Sequence, residues 1–227
     1  MSDGSANDAR VVESWHQNAE PWTTAVREQQ IESRNLATNA AVIDTILDRA
    51  PRTVLDIGCG EGWLARALHA RGIDVLGVDV VPELVERAAS AGGGTFRIAS
   101  YEEIARGALD VRVDLAVANF SLIGEGSVDA LVASLPRLLV SRGSVVIQTL
   151  HPVVSNGDAR YEDGWREGSW SGFSDAFTNP APWYFRRIET WVRLLIRSGL
   201  QLVDIREPMN PISGKPASII LVAEVPG

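Results

Sequence analysis

The sequence predicts an α/β fold with a doubly wound, mostly parallel sheet and helices on both of its faces. The first observation behind this prediction is that short apolar runs alternate with segments of helical period between residues 51 and 151. Alternating strands and helices form right-handed βαβ units, which give a parallel sheet. The second observation is a glycine-rich turn between the first strand and the helix after it. Such a turn is typical of α/β folds that bind a ligand at the carboxyl ends of their strands.

Composition limits the classes of function. The chain has 227 residues, 45% of them hydrophobic, and a net charge of −8, which predicts one domain with a substantial core. Nucleic-acid binding needs a basic face, which this acidic balance does not favour. The single cysteine, Cys59, excludes an intramolecular disulfide. Because neither a signal-peptide pattern nor a long apolar run occurs, a cytoplasmic protein without a membrane partner is predicted.

The first 50 residues are predicted to form a helical cap. Residues 1–10 are small and polar, a composition typical of disorder. Residues 14–22, SWHQNAEPW, hold two tryptophans, which indicates either a cap over a binding pocket or an ordinary packing segment. From Val26 to Ala50 apolar residues recur with a helical period, and Pro51 ends the predicted helix.

The central segment, residues 51–151, is predicted to be the ligand-binding core. Its apolar runs predict strands, and the helical periods between them predict helices. Strands are predicted at 54–57, 74–79, within 91–99, at 113–119 and at 144–150, with helices at 61–71, 82–90 and 127–141. Pro136 is expected to kink the last of these helices.

Residues 152–185 interrupt this alternation. The segment is rich in Gly, Pro, Ser and aromatic residues and shows neither period, which is typical of a lid or a binding loop. Its aromatic content argues against plain disorder. The rings either line a site for a flat or apolar molecule or pack the insertion on the sheet. Residues 186–227 complete the chain with a predicted helix over 186–198 and two closing strands, LQLVDI and SIILVAEV.

The glycine turn carries the chemistry. Gly58, Gly60 and Gly62 follow the first strand in the pattern GxGxG, closer than the GxGxxG of dinucleotide-binding turns. Glycine lets the backbone approach a ligand closely. Asp56, two residues before the turn, suits a cationic group such as an ammonium or a sulfonium better than a pyrophosphate. Asp79 ends the second strand, where a carboxylate can accept hydrogen bonds from ribose hydroxyls.

The runs DIGCGEG and GVD resemble the signature of class I S-adenosylmethionine (SAM)-dependent methyltransferases. The resemblance extends from the helix near Arg34 to the last strand. It implies a Rossmann-like, seven-stranded sheet with an antiparallel last strand, in a single domain over residues 1–227. It also implies SAM as the cofactor, S-adenosylhomocysteine as its product and a small molecule as the methyl acceptor. The group it resembles includes enzymes of the ubiquinone and menaquinone biosynthesis type.

The same resemblance implies which residues contact the cofactor. Gly58, Cys59 and Gly60 would hold the amino-acid part of SAM. Asp79 would hold the ribose, and Val80 would flank the adenine. The other implied contacts are Ser100, Tyr101, Glu102, Asn119, Phe120 and Leu122.

Two cap residues are predicted to complete the cofactor pocket. Trp22 would line it, and Arg34 would pair with the SAM carboxylate, because an arginine fork matches a carboxylate. If the segment only packs on the core, neither residue has this role. Asp56 belongs to the same predicted set of cofactor residues.

Catalysis by such a fold depends mainly on aligning the acceptor with the methyl group, since a sulfonium provides an excellent leaving group. His151, at the end of the fifth strand, is the candidate general base, although it would alternatively only shape the loop before Pro152. Cys59 is interpreted as a packing residue rather than a nucleophile. No metal site is predicted, because the histidines are scattered and no Cys/His cluster accompanies them. Two alternatives stay open: an NAD-dependent oxidoreductase of the Rossmann type, and a SAM-binding protein without catalysis.

Overall fold

In a computed structural model, which describes residues 3–227, a seven-stranded sheet lies between layers of helices. The strands are β1 (Thr53–Ile57), β2 (Asp74–Asp79), β3 (Thr95–Ile98), β4 (Val113–Asn119), β5 (Leu139–Thr149), β6 (Gly164–Arg166), β7 (Trp183–Phe185), β8 (Gln201–Arg206) and β9 (Ile219–Glu224). The α-helices are α1 (Asp3–Gln17), α2 (Ala19–Arg27), α3 (Asn39–Leu47), α4 (Trp63–His69), α5 (Pro82–Ala91), α6 (Tyr101–Arg106), α7 (Gly126–Leu138), α8 (Pro152–Ser155) and α9 (Ile188–Arg197). A π-helical turn over Arg34–Thr38 precedes α3.

The strand order of the main sheet is β3-β2-β1-β4-β5-β9-β8. Strands β1 to β5 pair in parallel, whereas β9 runs antiparallel between β5 and β8. The predicted seven-stranded, mostly parallel sheet with an antiparallel last strand is therefore confirmed. The strand order reverses between β1 and β4, which are neighbours, and such a switch point leaves a crevice at the carboxyl ends of the strands.

Strand β4 shows why helices cover both faces of the sheet. Leu115 and Val117 pack in the cluster that holds the apolar residues of α3 and α4, whereas Ala116 and Ala118 pack in the cluster of α7 and α9. Successive side chains of a strand point to opposite faces, and all four residues are buried. An unbroken apolar run in a strand therefore requires a helical layer on each side.

The N-terminal cap differs from the prediction in two places. Residues 3–10, expected to be disordered, lie in α1, and residues 1–2 lie outside the described residues. The Asp8 carboxylate accepts hydrogen bonds from the backbone N–H groups of Glu125 and Ser127 at 2.8 and 3.0 Å, so a tertiary contact orders the segment. The single helix predicted over residues 26–50 is divided, because α2 ends at Arg27 and Gln29 adopts a φ of 56°.

Two boundaries in the core also differ. The helix predicted over 127–141 ends at Leu138, because Leu139 already pairs with Val113 as the first residue of β5. Helix α6 is missing from the prediction. It begins with a capping box, in which Ser100 and Glu103 each bond the other's backbone N–H. The spacing S-x-x-E is the sequence signal that could have found this helix.

The C-terminal third matches the predicted pattern. The insertion over 152–185 contains only α8 and the small hairpin β6–β7, with irregular chain between them. The predicted final helix and the two closing strands correspond to α9, β8 and β9. Among the helices of residues 3–227, none is long and apolar enough to cross a membrane.

Candidate functional site

A cavity lies at the carboxyl ends of β1, β2 and β4, where the strand order predicts a ligand site. It holds about 830 Å³ of space, part of which is open to solvent. Its walls come from the cap, the glycine turn, the loops after β2, β3 and β4, and the start of α7. The lining residues are Asp8, Val11, Val12, Trp15, Trp22, Gly58, Gly60, Asp79, Val80, Leu84, Ser100, Tyr101, Glu102, Asn119, Phe120, Ser121, Gly124 and Ser127.

The glycine turn forms the floor of this cavity. Gly58 and Gly60 have φ angles of 73° and 56°, a left-handed conformation that favours glycine. A Cβ on Gly58 would lie 2.3 Å from the Cβ of Ser121, so the loop after β4 leaves no room for a larger residue. A Cβ on Gly60 would lie 3.4 Å from the indole nitrogen of Trp22. The Gly58 N–H donates to the Val78 carbonyl at 2.8 Å, which ties the turn to β2.

Asp79 closes the side of the cavity next to this turn. Its Oδ2 accepts a hydrogen bond from the Gly60 N–H at 2.9 Å, and its Oδ1 accepts one from the Val81 N–H at 3.0 Å. Burial raises the pKa of the carboxyl, and the backbone N–H groups oppose that rise. The carboxylate therefore stands at the cavity wall with free lone pairs, since each oxygen can accept more than one hydrogen bond.

Two buried groups of opposite charge lie close to the turn. The Arg34 guanidinium lies 5.5 and 4.7 Å from the ring centres of Trp22 and Trp63, and its Nη2 is buried without a hydrogen-bond partner among the described residues. The Oδ2 of Asp56 is likewise buried and unpartnered within residues 3–227. Burial lowers the pKa of Arg34 to about 10. Burial, with a smaller contribution from Asp79, raises the pKa of Asp56 to about 7, and Arg34 opposes that rise.

These two buried atoms without hydrogen-bond partners lower the stability of the fold. A buried polar group without a hydrogen bond costs about 1–3 kcal/mol, and more when it is charged. A ligand that brought a negative group to Arg34 and a positive group to Asp56 would remove both costs. The pair therefore fits the carboxylate and the ammonium of an amino acid.

Glu61 connects the cap to the glycine turn. Its side chain is fully buried and accepts hydrogen bonds from Arg27 of α2 at 2.8 Å and from Arg66 of α4 at 2.7 and 2.8 Å. Buried carboxylates are stable only when they are paired in this way. The triad thus holds α2, and with it Trp22, against the turn.

Helix α1 forms the roof of the cavity, whereas the sequence reasoning expected residues 1–10 to be disordered and named no lining residue from this helix. Val11, Val12 and Trp15 line the cavity from this helix, and Asp8 anchors the helix to the start of α7. The apolar pair Val11 and Trp15, spaced i and i+4, is the signal that could have identified a covering helix. The other lining residues outside the predicted set are Leu84, Ser121, Gly124 and Ser127.

The aromatic insertion packs on the cap. Asn18 donates from Nδ2 to the Thr178 carbonyl at 2.8 Å and accepts at Oδ1 from the Thr178 N–H at 2.9 Å. The rings of Trp15 and Trp170 stack edge-to-face with centres 5.8 Å apart. All residues that line the cavity precede residue 128, so within the described chain the aromatic insertion braces the roof and leaves the lining to other elements.

The end of β4 presents two unusual residues to the cavity. Asn119 has a buried Oδ1 without a hydrogen-bond partner in residues 3–227. Phe120 has a φ of 54°, a conformation that is rare for a bulky aromatic residue, and its N–H donates to the Gln148 carbonyl at 2.8 Å. Backbone strain of this kind costs about 1–3 kcal/mol and is characteristic of functional sites.

Most of the predicted cofactor residues meet at the cavity wall. These are Trp22, Gly58, Gly60, Asp79, Val80, Ser100, Tyr101, Glu102, Asn119 and Phe120. Arg34 and Asp56 lie outside the lining, in the buried positions described above.

Three further predicted residues also lie outside the lining. The Cys59 thiol is buried, and burial raises its pKa, which fits a packing residue rather than a nucleophile. Leu122 belongs to the core on the α7 side. His151 is buried at the start of α8, with its Nε2 2.7 Å from Oε1 of Glu207. Its predicted role as a base is therefore not supported by a contact with the cavity.

Residues 3–227 contain no group of three or more His, Cys, Asp or Glu side chains arranged to hold a metal ion.

Comparison with known proteins gives a consistent result. Residues 28–205 match a family model described as a methyltransferase domain. The fold is similar to that of the Burkholderia thailandensis 1,6-didemethyltoxoflavin-N1-methyltransferase, solved with 1,6-didemethyltoxoflavin and S-adenosylhomocysteine. That likeness covers all of this chain and 92% of the other, with a TM-score of 0.67 and 19% identity.

Curated relatives match over shorter segments. An uncharacterized methyltransferase of Mycobacterium tuberculosis is 48% identical over 44 residues, which are 19% of this chain and 18% of that protein. A ubiquinone biosynthesis O-methyltransferase of Xylella fastidiosa is 42% identical over 53 residues, 22% of each chain. The matched segments thus span about a fifth of the length of these relatives.

Proposed function

Since this chain belongs to the class I SAM-dependent methyltransferases, we propose that it transfers a methyl group from SAM to a small-molecule acceptor. The observation that carries the proposal is the pair of orphaned buried groups beside the glycine turn, Arg34 Nη2 and Asp56 Oδ2. When bound, SAM supplies a methyl group on a positively charged sulfur, which makes that carbon electrophilic.

The amino-acid part of the cofactor fits these orphans. In this proposal Arg34 binds the carboxylate and Asp56 binds the ammonium. Both groups are buried, where charge-assisted hydrogen bonds are stronger than at a surface. Trp22 lines the cavity and its ring centre lies 5.5 Å from the Arg34 guanidinium, so in this proposal the ring would flank the sulfonium side of the ligand.

The nucleoside part fits the opposite end of the cavity. Asp79 would accept hydrogen bonds from the ribose hydroxyls with the lone pairs that its two backbone contacts leave free. Val80 and Leu84 supply apolar surface, and Ser100, Tyr101 and Glu102 supply the polar edge for an adenine. The strand order supports this cofactor over NAD, because dinucleotide-binding sheets have the order 3-2-1-4-5-6 without an antiparallel strand before the edge.

The chain contributes to the reaction mainly by alignment and by exclusion of water. The roof of α1, held by Asp8 and by the Asn18–Thr178 contact, covers the cavity from solvent. Holding two reactants at bonding distance can supply a large part of the rate acceleration of a methyl transfer. His151 is hydrogen-bonded to Glu207 and lies outside the cavity lining. A proton released by the acceptor would therefore pass to water rather than to this residue.

A small acceptor suits the space that is available. The cavity is partly enclosed and is lined mostly by apolar side chains with a few polar groups, which is typical of sites for small molecules. The similarity in fold to a small-molecule N-methyltransferase and the local identity to a ubiquinone-biosynthesis O-methyltransferase support the same class of substrate. A cytoplasmic location stays a prediction from the composition.

The proposal is tested by calorimetric titration with S-adenosylhomocysteine, SAM and NAD. We expect the first two to bind and NAD to fail. Arg34→Gln and Asp79→Asn should each weaken S-adenosylhomocysteine about 10-fold to 100-fold, because each leaves a buried ligand group unpaired. Asp74→Asn, at the exposed start of the same strand as Asp79, is the matched control and should leave the affinity unchanged.

Two results would contradict the proposal. Binding of NAD in preference to both SAM and its product would favour an oxidoreductase. Tight binding of SAM without methyl transfer to any member of a broad acceptor panel would favour a SAM-binding protein without catalysis.

A further inference from the structure

A second cavity, the arginine groove, is formed by α2, the π-helical turn, α3 and α4. It holds about 1260 Å³ of space, part of which is open to solvent. Within residues 3–227 the groove and the first cavity have no lining residue in common. The cofactor proposal uses only one residue of the groove, Arg34, and gives the rest of it no role.

The groove concentrates positive charge in an acidic protein. Four arginines line it, and Asp44 is the only acidic residue among the described residues of its lining. The arginines are Arg27, Arg34, Arg66 and Arg71. Arg27 and Arg66 share the buried carboxylate of Glu61. Four guanidinium groups against two carboxylates leave a surplus of two positive charges in a chain whose net charge is −8, and such a surplus attracts an anion.

Arg34 and Arg71 are the two arginines that a ligand in the groove could engage. Arg34 is only 7% exposed, its Nε donates to Oδ1 of Asn39 at 3.1 Å, and its Nη2 has no hydrogen-bond partner in residues 3–227. Arg71 is exposed and donates from Nη1 to the Ala67 carbonyl at 2.6 Å, an uncharged partner. Because a guanidinium has five N–H donors, both side chains keep donors for a carboxylate.

The remaining lining suits the apolar body of such a ligand. Ile31, Ile43 and Trp63 are half-buried in the groove wall. The Arg34 guanidinium lies 4.7 Å from the centre of the Trp63 ring, so charge and apolar surface adjoin. Gln29, at a φ of 56°, also lines the groove, and strained backbone of this kind is common at functional sites.

Arg34 contacts an aromatic ring from each cavity. Its guanidinium lies 5.5 Å from the ring centre of Trp22, which lines the first cavity, and 4.7 Å from that of Trp63, which lines the groove. An anion bound in the groove and a cofactor carboxylate bound beside the glycine turn would share one positive charge. Two like charges at one cation repel each other, so each ligand should weaken the other by the same factor.

We propose that the arginine groove binds a small organic carboxylate with an apolar body, and that its occupation weakens the binding of the cofactor through Arg34. Arg71 and Arg34 bind the carboxylate, and the Trp63 ring packs on the apolar body. The coupling rests on the proposed function, in which Arg34 also binds the carboxylate of the cofactor. The groove as an anion site does not depend on it.

The site is tested with small ligands titrated into the chain without cofactor and followed by NMR at the Trp63 indole N–H, which Trp63→Phe assigns. Benzoate, benzamide and benzamidinium have one size and are anionic, uncharged and cationic. We expect benzoate to bind about 10-fold more tightly than benzamide, as a charge-assisted hydrogen bond predicts, and benzamidinium to bind most weakly. Acetate, which lacks the ring, should bind about 10-fold more weakly than benzoate, because it buries little apolar surface.

A variant at the exposed end of the groove locates the site. Arg71→Gln should weaken benzoate about 10-fold and leave the affinity for S-adenosylhomocysteine unchanged, since Arg71 lies outside the first cavity. Arg193→Gln is the matched control, because Arg193 is exposed on α9, which packs on the opposite face of the sheet from α3 and α4. It should change neither affinity.

The coupling is tested by calorimetric titration of S-adenosylhomocysteine at increasing benzoate, with benzamide and sodium chloride at matched concentrations as the reference. We expect the Kd of S-adenosylhomocysteine to rise about 5-fold to 10-fold and then to reach a plateau, as linkage between two distinct sites requires. In Arg71→Gln the same rise should need about 10-fold more benzoate. A Kd that rises in proportion to benzoate without a plateau would place benzoate in the cofactor site and overturn the proposal.

The outcomes separate the two proposals. If S-adenosylhomocysteine does not bind the unchanged chain, the proposed function and the coupling both fail, and the benzoate titration still decides the groove. If benzoate binds no more tightly than benzamide, or keeps its affinity in Arg71→Gln, the arginine groove is not an anion site. If benzoate binds there and the Kd of S-adenosylhomocysteine stays unchanged, the coupling through Arg34 is wrong.

Discussion

Replacing the buried carboxyl of Asp56 by a carboxamide should change how the stability of the protein depends on pH. Asp56 is buried, and burial raises its pKa from 3.8 to about 7, with the neighbouring Asp79 adding to the rise and Arg34 opposing it. The unfolded chain keeps the ordinary pKa. Between these two values the folded state binds a proton that the unfolded state does not bind.

Ionisation of Asp56 should lower the free energy of unfolding as the pH rises. Below about pH 4 the Asp56 carboxyl is protonated in both states, and its full contribution to stability is present. As the pH rises toward 7, the unfolded state gains from ionisation while the folded state does not, so the free energy of unfolding falls. Above about pH 7 both states are ionised and the loss is complete. The pKa difference corresponds to about 4 kcal/mol in total, of which about 3 kcal/mol falls between pH 5 and pH 8.

The assay is urea unfolding of the unchanged chain and of Asp56→Asn at half-unit steps from pH 5 to pH 8. The carboxamide does not ionise, so the stability of the variant relative to the unchanged chain should rise by about 3 kcal/mol across this range. Asp74→Asn, at the exposed start of β2, is the matched control and should run parallel to the unchanged chain. Parallel curves for Asp56→Asn and the unchanged chain would refute the reasoning, because they would mean that Asp56 is ionised in the folded state throughout.

Three further predictions concern the turn, the roof and the candidate base. Gly58→Ala should lower the free energy of unfolding in urea by about 2–4 kcal/mol, because the added Cβ would meet the loop after β4 at a position with positive φ. Gly72→Ala, also at positive φ but in open space, is the control and should lower it by only about 1–2 kcal/mol. Equal losses would contradict the close approach of the loop to Gly58. Asn18→Ala removes both hydrogen bonds between Asn18 and Thr178, so it should raise the amide hydrogen exchange rates of residues 170–180 about 5-fold to 10-fold. Unchanged rates would show that these two bonds do not hold the insertion on the cap. His151→Gln should leave kcat within about 2-fold, while a loss of about 100-fold or more would restore His151 as the general base.

The agreement between sequence and structure is strongest where local pattern and burial coincide. The apolar runs of β1, β4 and β5 identify strands because side chains on both faces of each strand are buried under helices. The close glycines identify the floor of the cavity because its left-handed backbone favours glycine, and Asp79 lies at one side of the cavity. These features are local, so a single sequence contains them.

Contacts between distant parts of the chain account for two features that the sequence does not show. Helix α1 is polar in sequence at its start, yet it is ordered by the contact of Asp8 with the backbone of a segment more than 100 residues away. The predicted long helix over 26–50 is broken at Gln29, whose positive φ no propensity indicates. His151 follows β5 by two residues and its ring contacts Glu207, so its role as a base stays a prediction. For α1 and for His151 the deciding partner is distant in sequence.

The sequence by itself determined the alternation of strands and helices in the core, the position of the glycine turn and the acidic residues beside it, since these depend on periodicity and backbone conformation. Only the tertiary structure decided that α1 is the roof and that the aromatic insertion braces that roof. It also decided that, within residues 3–227, Nη2 of Arg34 and Oδ2 of Asp56 are buried without hydrogen-bond partners. The physical reason is that burial and hydrogen-bond satisfaction are properties of the whole packed chain, and a residue's neighbours in space are set by pairings that its neighbours in sequence do not encode.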